Sequence, residues 1–227
     1  MAPQVLLYHR LAFRQSGERS PEKPVLKQNM KMSSLQAHRM RGFSMVELVM
    51  AVAVILLISA VALPSLTRTV RIYQLNDAAV RLAGILKFTR FEAIRRNSPI
   101  NCVNAQGGAN APASVWSDDN GDGVAQPAER QIVLGSNNTL VPAGAVPGSG
   151  SLAAAIGAGT LTAVNPSTGN VTFDQRGGVV PPTVYVFYVG DTTTPESGFR
   201  AVVVLPSGAV QVWSNPTAAG AAWHKTS

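Results

Sequence analysis

The sequence has one cysteine, Cys102, and three histidines among 227 residues. A single cysteine cannot close an internal disulfide, and no Cys/His cluster has zinc-finger or haem-attachment spacing. Stability must come from a packed core. Beyond residue 42 the only histidine is His224, and no GxSxG, HExxH or P-loop pattern occurs. No enzymatic activity is expected from this inventory. Acidic residues are also few, and the formal charge of +7 would suggest a nucleic-acid partner. Residues 1–42, however, carry eight Lys/Arg against two Asp/Glu, which leaves eleven against ten over 43–227. The basicity belongs to the leading segment. Within the remainder, residues 68–96 hold seven basic and two acidic groups, and 97–227 hold four and seven. The order is basic leader, apolar run, basic segment and faintly acidic domain.

The apolar run spans residues 43–63, FSMVELVMAVAVILLISAVAL, where only Ser44, Glu47 and Ser59 are not apolar. As a helix it covers about 30 Å at about 1.5 Å per residue, the depth of a bilayer's hydrocarbon core. A transmembrane helix is expected. Arg39 and Arg41 precede it, which places the N-terminus in the cytoplasm and everything after Pro64 on the far side. A buried core helix is one rival, disfavoured by the length of the run. A cleaved export signal ending at Ala60-Val61-Ala62 is another, disfavoured by its long apolar region and by a charged flank far from the chain start.

Glu47 separates these readings. A carboxylate in the first turns of a membrane helix costs about 2–3 kcal/mol or more. Either it sits at the interface, snorkelling or protonated, or it meets a positive group from another chain. The natural positive group is a free amino terminus created by cutting just before Phe43.

The segment Arg41-Gly42-Phe43-Ser44-Met45-Val46-Glu47-Leu48, followed by an apolar stretch, resembles the type IV prepilin signal. The resemblance implies that a prepilin peptidase cuts after Gly42 and N-methylates Phe43. It also implies that Glu47 pairs with a neighbouring subunit's terminus during assembly, and that Pro64 kinks the helix at the end of the membrane segment. Family leaders are usually short, whereas residues 1–42 precede the cut. Met32 would start an eleven-residue leader, MSSLQAHRMRG, so 1–31 are expected to be disordered or a misassigned start.

Over 65–97, Ile72, Leu75, Ala79, Leu82, Leu86 and Ala93 form one helical stripe. An amphipathic helix with its stripe against the distal domain is expected, ended by Asn97-Ser98-Pro99. Asp77 with Arg81, and Glu92 with Arg96, are i,i+4 pairs. The remaining faces carry Arg71, Arg81, Lys87, Arg90 and Arg96; such basic side chains could meet nucleic acid, but without interleaved aromatics a solvated face beside anionic lipid is expected. The stretch RLAGILKFTRFEAIRRNSPINC is similar to the helix-to-first-strand segment of GspH/FimT pseudopilins and minor pilins, with its Arg90-x-x-Ala93-Ile94-x-Arg96-Asn97 pattern.

Past residue 97 the composition turns to Gly, Pro, Ser, Thr, Asn and Val. Strands are expected at 100–104, 114–116, 131–134, 171–173, 183–189, 201–205 and 210–213, with turns at 174–178 and 206–208 and a long loop over 142–159. They make an antiparallel β domain over 98–227 packed on the helix, an α+β arrangement like that of the pilins.

Asp118, Asn120, Asp122, Gly123 and Glu129 satisfy EF-hand loop spacing, which would suit calcium. No flanking helices are expected and Pro127 interrupts the segment, so an Asx-rich turn between strands is the favoured reading. No other cofactor is expected.

The resemblance implies a structural minor subunit of a type II secretion pseudopilus, held in the inner membrane with its C-terminal domain periplasmic or extracellular. Its implied partners are other pilins or pseudopilins, prepilin peptidase, an inner-membrane platform protein and an assembly ATPase. A minor pilin for adhesion, motility or DNA uptake is the near alternative. Some FimT-like members bind DNA through a glycine followed by arginines. The comparable hairpin here, Pro206-Ser207-Gly208-Ala209-Val210-Gln211, lacks arginines, which argues against DNA. An exported or membrane-anchored calcium-binding module is the alternative of another class.

Overall fold

The computed structural model describes residues 42–108, 111–135, 137–191, 197–215 and 222–227. Of the expected leader, 1–42, only Gly42 lies within them. One helix, α1 (Met45–Arg96), runs on through position 64 without a break. Glu47 lies in its first turn and Arg95 and Arg96 in its last, the charge order that the helix dipole favours. It ends at Asn97, which turns into the left-handed region at φ 51°. There the Ser98 N–H donates to Ala93 O, and Pro99 follows where a helix cannot continue.

Among the described residues eleven strands follow, in two sheets. In the first, β1 (Ile100–Gln106) is central, with β2 (Ala113–Asp118) and β3 (Gln131–Val133) on one side. On its other side lie β6 (Asn170–Phe173) and β7 (Val179–Val180), and every pairing is antiparallel. The second sheet has the order β11-β10-β9-β8-β4. It comprises β4 (Thr139–Val141), β8 (Tyr185–Gly190), β9 (Phe199–Val204), β10 (Val210–Asn215) and β11 (His224–Lys225). A two-residue strand, β5 (Thr162–Ala163), pairs parallel with β8.

The expected stripe on α1 is the one that packs. Leu75, Ala79, Leu82, Leu86 and Ala93 are fully buried, and Ala78, Ala83 and Ile85 widen the contact. They share a core with Ile100 and Cys102 of β1, Val171 and Phe173 of β6, Phe187 of β8 and Val202 of β9. Each fully buried Leu or Phe contributes about 1.5–3 kcal/mol. Cys102 is sealed there, and burial pushes its thiol up to about 12.

Strands β8 and β9 are buried on both faces. Tyr185, Phe187 and Val189 face the helix core, whereas Val186 and Tyr188 face a second cluster with Phe199, Ala201, Val203, Trp213 and Trp223. This is why both read as apolar runs instead of alternating ones, broken in β9 only by the buried Arg200. The second face needs a cover, which corrects the expected loop over 142–159. A 3-10 turn at Ala143–Ala145 and a helix, α2 (Ser149–Ile156), form instead, with Leu152 inserted into the cluster. Gly148 and Gly157 bound α2 at φ 70° and 75°, and the Trp223 indole N–H donates to Gly148 O at 2.8 Å.

The basic residues of α1 are also corrected. Three of them reach the β domain and do not wait for lipid. Arg71 pairs with Asp191 at 2.9 Å, Arg90 Nε donates to Gly177 O at 2.9 Å, and Arg96 pairs with Asp119. Returning the contact, the buried Arg200 donates from Nε to Asn76 Oδ1 at 2.6 Å, and desolvation lowers its pKa. The expected i,i+4 pairs are present, Asp77–Arg81 at 3.9 Å and Glu92–Arg96 at 3.1 Å.

Candidate functional site

Two regions carry the residues singled out by sequence. The first is the N-terminal half of α1. Phe43 and Met45 are 80% and 84% exposed, and from Val46 to Leu66 the large apolar side chains stand open on every side of the helix. Buried positions begin only at Leu75. A helix apolar all round cannot be the outer helix of a water-soluble domain; it requires lipid or other apolar helices. It is the one candidate membrane span among the described residues. Gly42 and Phe43 lie just before the helix, without regular secondary structure. Glu47 is exposed, and no ion pair engages it among the described residues.

The exposed apolar surface does not stop where the all-round apolar stretch stops. Leu66, Val70, Tyr73, Val80, Phe91 and Ile94 all remain exposed, and their spacing falls on one three-four repeat along α1. This seam was not among the features expected from the sequence. Its signal was present as apolar residues interleaved with Arg71, Arg81 and Lys87 on the face expected to be polar.

The second region is the loop between β2 and β3, a strand-loop-strand connection without flanking helices. It brings Asp118, Asp122 and Glu129 together, with one carboxylate oxygen of each within 4.8 Å of the others. Each carboxylate is already an acceptor within the loop. Asp118 takes the Gly121 N–H at 2.8 Å and the Gly123 N–H at 3.1 Å. Glu129 takes the Asp119 and Gln126 N–H groups, both at 3.1 Å. Asp122 accepts from Val124 N and from the side-chain amides of Asn120 and Gln126. The bond from Val124 is the largest influence holding the Asp122 carboxyl below its usual range. Gly121 and Gly123 stand at φ 78° and 72°, where other residues are strained. These hard oxygens suit calcium in kind, and Asn120 Oδ1 would be a fourth, although it accepts the Asp122 N–H at 3.0 Å. The loop therefore closes by its own hydrogen bonds. Its far side is held to α1 through Asp119, which accepts from Ser117 Oγ at 2.9 Å and from Arg96.

The hairpin at 206–208 forms as expected, with the Gly208 N–H donated to Leu205 O at 2.8 Å. It packs against Gly177 and Arg90 and brings no basic side chain of its own.

A long helix, buried by one stripe in its second half and bare in its first, laid on antiparallel sheets, defines a pilin-like α+β subunit. The chain belongs to the family described as type II transport protein GspH, which matches residues 78–208. Members of that family are structural subunits and not enzymes. Two crystal forms of the type IV minor pilin FimU of Pseudomonas aeruginosa strain PAO1 are similar. At 20% and 18% identity they cover 63% and 64% of this chain and 99% and 96% of FimU, with TM-scores of 0.43 and 0.44. No curated protein matches the chain.

Proposed function

We propose that the chain is a minor pilin-type subunit of a type II secretion pseudopilus, stored in the inner membrane by residues 43–64 and added from there to a filament. The observation that carries this is the bare apolar half of α1 next to a Gly42-Phe43 junction, with Glu47 as its one carboxylate. Cleavage after Gly42 by prepilin peptidase, and N-methylation of Phe43, would put a cationic end beside a neighbour's Glu47. Two charges brought together in an apolar bundle must neutralise one another, which fixes the axial register of the packed helices. The seam from Leu66 to Ile94 would continue that lateral packing outside the membrane. An ATPase and a platform protein would drive extraction. Membership of the type II transport family favours secretion over a pilus for adhesion, motility or DNA uptake.

Mass spectrometry of the intact subunit from cells with and without prepilin peptidase tests this. The expected product begins at N-methyl-Phe43 and disappears without the peptidase. A product starting at Leu63, or a chain left uncut at Gly42 in cells that have the peptidase, overturns the reading.

The acidic loop supports a structural role, closing the β2–β3 connection through Asp118, Asp122 and Glu129. Calcium capture by these three and Asn120 is the competing use, and a calcium titration separates the two.

A further inference from the structure

Asn120 is followed by Gly121, the pair of residues whose chemistry most favours spontaneous loss of the side-chain amide. In that reaction the deprotonated Gly121 nitrogen attacks Asn120 Cγ. The new N–Cγ bond replaces Cγ–Nδ2, and Nδ2 departs as ammonia with the proton. Solvent water then opens the five-membered imide to an aspartyl or isoaspartyl residue. Asn120 is exposed, so water has access.

We propose that Asn120-Gly121 is a latent deamidation site and that Asp118 is the residue that restrains it. The attacking nitrogen is engaged, because the Gly121 N–H donates to Asp118 Oδ1 at 2.8 Å. A carboxylate in that position both holds the proton and disfavours a negative nitrogen beside it. The leaving group is engaged as well. Asn120 Nδ2 donates to Asp122 Oδ2 at 2.9 Å, while Asn120 Oδ1 accepts the Asp122 N–H at 3.0 Å. Attack requires these bonds to break together. Deamidation would add a fourth carboxylate beside Asp118, Asp122 and Glu129, so the loop opposes its product as well as the reaction.

The test is peptide mapping of the full chain in detergent during incubation at neutral pH, native and unfolded in urea. Native chain should deamidate at Asn120 about 10- to 100-fold more slowly, the factor that one charge-assisted hydrogen bond supplies. Equal rates in the two states overturn the proposal. In Asp118→Ala protein that keeps the native circular dichroism spectrum, the rate should rise toward that of the unfolded chain. A folded variant that deamidates at the native rate removes Asp118 from the role.

Discussion

Arg71 Nη1 lies 2.9 Å from Asp191 Oδ2, tying the helix just beyond its bare half to the end of β8, 120 positions later in the chain. One turn further on, Asn76 accepts from the buried Arg200 of β9. Together the two contacts clasp α1 to the second sheet on either side of Leu75, where its apolar packing begins. The clasp is thus where a force on the apolar helix would pass to the β domain. Arg71 remains 39% exposed, so solvent screens its pair, and Arg71→Ala should cost about 1 kcal/mol or less. For a domain of this size that is a fall in Tm of about 2–4 °C or less, measurable by thermal denaturation in detergent.

Two glycines should respond in opposite directions to alanine. Gly208 stands at φ 75°, and a Cβ there would collide with the Gly177 carbonyl oxygen. Gly208→Ala should destabilise by about 1–3 kcal/mol and loosen both turns that meet at Arg90. Gly84 is helical and exposed, with nothing within 4 Å of an added Cβ, so Gly84→Ala should stabilise by about 0.5–1 kcal/mol. Paired melting curves check the signs, and a stable Gly208→Ala protein would contradict the close approach of the turns.

What the sequence made legible, and what it did not, follows from the range of each interaction. The stripe from Leu75 to Ala93 was readable because a period of 3.6 is local, and the β8 and β9 runs because strands covered on both faces are mostly apolar, Arg200 apart. The loop carboxylates were readable from spacing, although their hydrogen bonds to loop N–H groups were not. Helix α2 was missed because SGSLAAAI between glycines has a single large anchor, Leu152, and its reason for folding is the exposed back of β8 and β9, far away in sequence. The basic residues were misplaced for the same reason. Their partners Asp119, Gly177 and Asp191 lie 23, 87 and 120 positions away, beyond any helical pattern.

High pH should loosen the domain. Burial raises the Cys102 thiol to about 12, from about 9 in an open chain, and raises the Tyr188 phenol to about 12 from about 10. The native state therefore holds protons that the unfolded state releases. Stability is full below pH 9 and falls as pH rises toward 12. Thiol titration should find Cys102 unreactive in the native chain near pH 8 and reactive in denaturant. Rapid native labelling would show that the core is open at β1.

Calcium should leave the acidic loop unchanged if its own N–H groups close it. Isothermal calorimetry of the full chain in detergent is expected to show no saturable heat at millimolar calcium, while Glu129→Ala should cost about 1–3 kcal/mol by orphaning the Asp119 and Gln126 N–H groups. Saturable binding that Glu129→Ala abolishes would favour the calcium-module reading.

Glu47→Ala separates folding from assembly. Because no ion pair engages Glu47 among the described residues and the buried face of α1 starts at Leu75, the variant should melt like the parent chain. Cleavage at Gly42 should also be preserved, since the scissile bond and its small residue are untouched. Incorporation should fail, because a neighbour's cationic terminus would enter an apolar bundle without a counter-charge, a loss of about 3–5 kcal/mol per contact. Phe91→Ser provides the contrast: it lies on the exposed seam, near the opposite end of α1 from Glu47, and should weaken incorporation only partly. Counting each variant in sheared filaments against its membrane pool reads both effects. Full incorporation of Glu47→Ala would remove the charge pairing while leaving apolar packing intact, and full incorporation of Phe91→Ser would confine that packing to the bare N-terminal half of α1.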